Sequence, residues 1–147
     1  LRVVVATPFT GLATAKARAA LAEAIPRADA VFNLQRVLLF VHAIREGEYD
    51  RLREGVRDRW HQPARLPLVP HLHHVLALDD PDVLGAFLSG AGPSVAVLAR
   101  HRVERVAERL RETCEVAGVP VVVRTLTAHQ PSAGVAEAVG TMAGRTA

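Results

Sequence analysis

Apolar residues fall along this chain in two rhythms. Residues 2–6 of "LRVVVATP" form a short continuous run that reads as a buried strand, stopped by Pro8. Helical propensity follows Gly11, and Pro26 ends that segment. The strongest helical signal covers 28–46. There Val31, Leu34, Leu38 and Val41 recur at helical spacing, Val37 and Ile44 widen the stripe, and Gly47 is placed to end it. A shorter helix over 49–58 carries Leu52 and Val56. "WHQPARLPLVP" is punctuated by prolines and reads as irregular, and a further helical piece covers 69–78.

"DDPD" makes a turn. "VLGAFL" and "SVAVLA" then read as two strands joined by "SGAGPS". Residues 101–117 predict an amphipathic helix with Val103, Val106, Leu110 and Cys114 on one side and the pair Arg111 and Glu115 on the other. Gly118 ends it, and "VPVVVRTL" is a fourth strand. Residues 128–147 are small and polar, with a helix over 133–142. The order strand, helices, strand, strand, helix, strand predicts an α+β fold of the ferredoxin-like, split βαβ kind. It implies a four-stranded antiparallel sheet with helices on one face, in a single domain over 1–147.

Composition narrows the partners. Half of the residues are hydrophobic and 22% are charged, as in ordinary globular proteins. No apolar run approaches the roughly 18 residues that cross a bilayer, so no membrane partner is expected. The isoelectric point near 10.0 suggests nucleic acid, but the net charge is only +3 and the arginines are interleaved with Asp and Glu. A nucleic-acid binder clusters its cations on one face, so none is expected here. The single cysteine, Cys114, excludes an internal disulfide and fits a reducing, cytoplasmic setting. On its apolar stripe it reads as core rather than nucleophile.

The hexapeptide "SGAGPS" (89–94) permits two readings. It is a hairpin turn, with glycine supplying φ > 0, or a bare backbone that lets N–H groups approach an anion or another glycine loop. Its context decides. "TAKAR" (14–18), "ADAVFNLQRVLLFVHAIREG" (28–47), "DRWHQPAR" (58–65) and "GAFLSGAGPSVAVLA" (85–99) occur in that order. This series resembles the C-terminal half of the homoserine kinases, in the superfamily named for galactokinase, homoserine kinase, mevalonate kinase and phosphomevalonate kinase. The resemblance covers roughly residues 1–127. "SGAGPS" looks like the superfamily's third motif; T-x-x-A-R and D-R-x-H-Q-P-x-R are closer to homoserine kinase itself. Ala13 and Ala64 depart from the family's usual serine and aromatic.

The resemblance implies ATP-dependent phosphorylation of the L-homoserine hydroxyl, on the route to threonine. It implies Thr14, Arg18 and Arg65 as substrate contacts, the two arginines holding the carboxylate. Arginine suits that task because its planar fork meets both oxygens. Ser89, Gly90, Ala91 and Gly92 would support the nucleotide's phosphate loop through backbone. No catalytic base is implied in this half. The cofactors implied are ATP and magnesium, with their ligands on an N-terminal ATP-binding domain missing from these residues. "PFTGLAT" (8–14) mimics a glycine–serine phosphate loop only loosely. The start of the chain inside a strand fits that expectation. A homodimer is an assembly the family often adopts.

Asn33 reads as solvent-facing, with an approach to the substrate as the alternative, and Asp58 and His61 as residues that orient the loop before Arg65. His71, His73 and His74 tempt a metal reading, but no carboxylate or cysteine completes a set, and no metal site is expected. Two alternatives stand beside the main one. One is another kinase of the superfamily, with a mevalonate-like or sugar substrate. The other is a non-catalytic ferredoxin-like domain that binds an amino acid, which would not need "SGAGPS".

Overall fold

Valine-rich segments build the sheet. In the computed structural model, which describes residues 1–127, the strands are β1 (Arg2–Pro8), β2 (Val83–Leu88), β3 (Val95–Ala99) and β4 (Val121–Thr127). The expected helix at 133–142 lies outside the described residues. The four strands lie in the order β2-β3-β1-β4, and every pairing is antiparallel. Pro8 does not cut β1 short as expected; it closes the register opposite Val121. β1 pairs with β3 from Arg2↔Ala99 to Ala6↔Val95. Consequently β1 and β2 finish, and β3 and β4 begin, at the same end of the sheet.

Among the described residues six helices surround it: α1 (Thr14–Ala19), α2 (Arg27–Glu46), α3 (Leu52–Gly55), α4 (His61–Arg65), α5 (Leu72–Leu76) and α6 (Val103–Val116). Short 3-10 turns cover Tyr49–Arg51 and Leu66–Leu68. The alternation of side chains along each strand assigns the two faces. Val4, Ala6, Val95, Val97 and Ala99 point to one face, where they pack with Leu72 and Val75 of α5 and Val106, Leu110 and Cys114 of α6. Val3, Leu84 and Leu98 point to the other, against Ala43 of α2 and Leu52 of α3. The helices are therefore not confined to one face as the topology suggested. Gly85 explains the second layer: a Cβ there would lie 2.9 Å from Val56 Cγ2 and 3.3 Å from the Leu52 carbonyl, so its absence lets α3 press onto β2.

Cys114 is fully buried in the α6 core, and burial, with Glu115 beside it, pushes its thiol up to about 11. α2 has the extent expected, but its stripe does not face the core. Val31, Leu34, Val37, Leu38 and Val41 are exposed, Leu38 by 71%. A different row, Asn33, Arg36, Phe40 and Ala43, faces the α3 side. No described helix is long and apolar enough to cross a membrane.

Candidate functional site

The end of the sheet where β1 and β2 stop gathers three segments: the approach to α1, the α4 region and the turn at 89–94. The turn is a tight hairpin. Ser89 N–H donates to the Ser94 carbonyl at 2.9 Å, and Gly92 N–H donates to the Ser89 carbonyl at 3.1 Å. Ser94 Oγ lies 3.2 Å from Thr7 Oγ1, which ties the turn to the end of β1. Gly90 has φ +60° and Gly92 φ +81°, a region where side chains with a Cβ are rare. Hairpin and bare backbone are thus one object, in which Gly90 borders a groove and Gly92 faces inward.

That groove, of about 800 Å³, runs between α2, the α3–α4 segment and the end of β2. Asn33, Trp60, Arg65, Phe87 and Gly90 are among the residues that line it. Its floor is built by "DRWHQPAR". Asp58 caps the segment: Oδ1 accepts from Asn33 Nδ2 at 2.6 Å and from Trp60 N–H at 3.1 Å, and Oδ2 accepts from Gln62 N–H. His61 Nδ1 lies 3.4 Å from the same carboxylate. Burial alone would raise the Asp58 carboxyl, but these donors, the Gln62 and Trp60 amides foremost, hold it below its ordinary 3.8. Gln62 then bridges to the sheet. Its Oε1 accepts from Leu88 N–H at 2.9 Å and its Nε2 donates to the Val56 carbonyl at 3.3 Å.

These bonds hold Arg65 in an unusual state. Its side chain is buried, its Nε has no hydrogen-bond partner, and among the described residues it makes no salt bridge. A buried guanidinium without a carboxylate is costly unless an anion completes it. Trp60 Nε1 and Arg36 Nε are further buried donors without a partner among the described residues on the same groove, although Arg36 Nη1 is paired with Glu54. At the rim, Arg36, Arg57 and Arg59 gather around the Phe32 ring, 4.7, 5.8 and 4.0 Å from its centroid. Arg36 and Arg57 are both paired with Glu54 and Arg59 with Asp29, so among these described arginines Arg65 is the one without a carboxylate.

The structure brings Arg65 and Gly90 onto one groove and keeps Ser89, Ala91 and Gly92 in the adjoining turn. Thr14 and Arg18 do not line the groove. They are exposed, one turn apart on α1, which is anchored through Leu12 and the buried Ala17. Asn33 is not solvent-facing as expected: besides bonding Asp58 it accepts from Arg59 N–H at 3.0 Å. Gln62 and Trp60 had no separate signal in the sequence beyond their membership of the motif. Among the described residues no three His, Cys, Asp or Glu side chains cluster to hold a metal ion.

Against known proteins, residues 40–116 match the family described as GHMP kinases C terminal. The chain belongs to that family. GHMP kinases recorded as homoserine kinase resemble it further. The Persephonella marina protein is 40% identical over 120 residues, 81% of this chain and 40% of its own length. That of Solibacter usitatus is 42% identical over 114 residues, 78% of this chain and 38% of its own length. The chain thus spans about two fifths of the length of these curated relatives. The crystal structure of homoserine kinase from Cytophaga hutchinsonii shares the fold, with a TM-score of 0.79 at 22% identity, over 88% of this chain and 42% of that one.

Proposed function

We propose that this GHMP kinase chain is the substrate-side part of an ATP-dependent homoserine kinase, which acts in the cytoplasm and assembles as a homodimer. The observation that carries the reading is the buried, unpaired Arg65 on a groove bordered by the glycine turn. An amino acid supplies the missing carboxylate. "TAKAR" and "DRWHQPAR" and the names of the relatives support homoserine over other small alcohols.

In this reading Arg65 holds the substrate carboxylate from the groove, while Arg18 and Thr14, exposed on α1 outside the groove, would have to reach the same ligand from the far side. Ser89, Gly90, Ala91 and Gly92 support the nucleotide side through backbone. Residues outside these 147 would hold ATP and its magnesium, as the share of the relatives' length suggests. ATP supplies the γ-phosphoryl group. The substrate hydroxyl would attack its phosphorus as the bond to the bridging oxygen breaks, ADP would leave, and the hydroxyl proton would pass to an oxygen of the transferring phosphoryl group and on to solvent, with no side chain of these residues assigned as base. Positioning and charge neutralisation suffice for such a transfer.

The test is kinetic. The 147 residues alone should leave homoserine unphosphorylated. In a chain carrying the relatives' full length, Arg65→Met keeps the buried stem and removes the charge. The homoserine KM should rise about 10- to 100-fold, as loss of a charge-assisted pair implies, with the ATP KM within about twofold. An unmoved homoserine KM would overturn the assignment.

A further inference from the structure

His71 is 1% exposed and stands at the start of α5. Its Nε2 lies 2.9 Å from the carbonyl oxygen of Pro93, inside the glycine turn. A carbonyl only accepts, so Nε2 carries the proton and Nδ1 is the bare nitrogen. Nδ1 is itself buried and without a partner. A second proton there would place an unsatisfied cation in the core. Burial accordingly pushes this imidazole below its ordinary pKa, only partly offset by the Pro93 bond.

The residues before His71 form the turn's floor. Val69 N–H donates to the Arg65 carbonyl at 3.1 Å. A Cβ on Gly92 would lie 3.4 Å from Val69 Cγ2. One short segment therefore carries Arg65 at its start and touches the turn at Val69 and His71.

We propose that His71 is a positioning residue: as a neutral imidazole it donates its Nε2 proton to the Pro93 carbonyl and fixes the glycine turn against the segment that carries Arg65. The two halves of the site thereby keep one spacing. That the turn serves a phosphate rests on the kinase reading; the latch itself does not.

The test uses the isotope-labelled 147-residue chain with no ligand, so its failure is separate from failure of the kinase reading. Nitrogen spectroscopy of the ring at neutral pH should show Nε2 protonated and Nδ1 bare. His71→Leu fills the space without a donor, while His71→Gln keeps a donor at similar reach. Amide exchange at Ser89 and Gly92 should quicken about tenfold or more in His71→Leu, the worth of roughly one hydrogen bond, with Leu110 in α6 unmoved. In His71→Gln it should stay within about threefold of the unmodified chain. A ring protonated on Nδ1, unchanged exchange in His71→Leu, or equal loosening at Leu110 without rescue by glutamine would overturn the latch. Should His71→Leu not fold, the ring tautomer and the glutamine variant decide: Nδ1–H, or about tenfold faster exchange in His71→Gln, overturns it.

Discussion

Gly90 and Gly92 stand two residues apart in one turn, yet a methyl group would meet different surroundings at each. At Gly90 nothing lies within 4 Å of the added carbon, so only the backbone angle resists. At Gly92 the same carbon would sit 2.9 Å from Leu88 Cδ1, on top of a φ of +81°. A left-handed angle costs an L-residue about 1–2 kcal/mol, and overpacking adds about 1–3 kcal/mol. Gly92→Ala should therefore destabilise the chain more than Gly90→Ala, by about 1 kcal/mol or more, in urea unfolding. Equal losses would mean that Leu88 yields freely and the turn is not seated on the core. The contrast matters for function, because the tolerant position is the one that borders the groove.

At the scale of elements, α4 shows what holds such a short helix. Five residues cannot sustain a helix by local bonds alone. Asp58 caps it from one side, and Gln62 links it to Leu88 on the other. The Asp58 carboxyl has a lower pKa folded than unfolded. Its stabilisation is therefore complete above 3.8 and is lost as pH falls through the folded value. Asp58→Asn should lower the urea midpoint at pH 6, and the gap to the unmodified chain should close as the pH falls below 3.8. A gap constant with pH would show that the charge of Asp58 contributes nothing. The same element explains where the sequence was opaque. The four strands and the α6 stripe were legible because their apolar spacing is local. "WHQPARLPLVP" read as irregular because its helices depend on partners 26 residues or so away in sequence, such as Leu88 for Gln62. Asn33 read as solvent-facing for the same reason, since its partner Asp58 is distant. The motif announced Arg65, but only the fold shows the guanidinium unpaired. The three histidines lack a ligand set in the sequence and have no role there; the fold ties His71 to the turn through the Pro93 carbonyl.

Across the whole molecule, the apolar pattern of α2 marked the helix, Arg27–Glu46, but named no surface to cover it. An apolar stripe says that a helix seeks cover, not which surface gives it. Here Val31, Leu34, Leu38 and Val41 remain open, and on β4 Val122 and Leu126 are exposed beside Val3 and Thr7, on the sheet face that α2 and α3 cover only in part. The α2 stripe, with its open apolar residues at helical spacing, has the character of a contact face. If the rest of a kinase covers α2, the cost of placing charge there depends on what else is present. In the 147-residue chain, Leu34→Glu with Leu38→Glu changes only exposed side chains and should shift stability by no more than about 1 kcal/mol. Leu110→Ala, fully buried in α6, should cost about 2–5 kcal/mol in the same urea titration. In a chain of the relatives' full length the two glutamates would be driven under a covering domain, where an unpaired charge is expensive. The double variant should then lose several times more stability than it does in the short chain. Equal, small losses in both settings would show that α2 faces solvent in the longer chain too and that its stripe covers nothing.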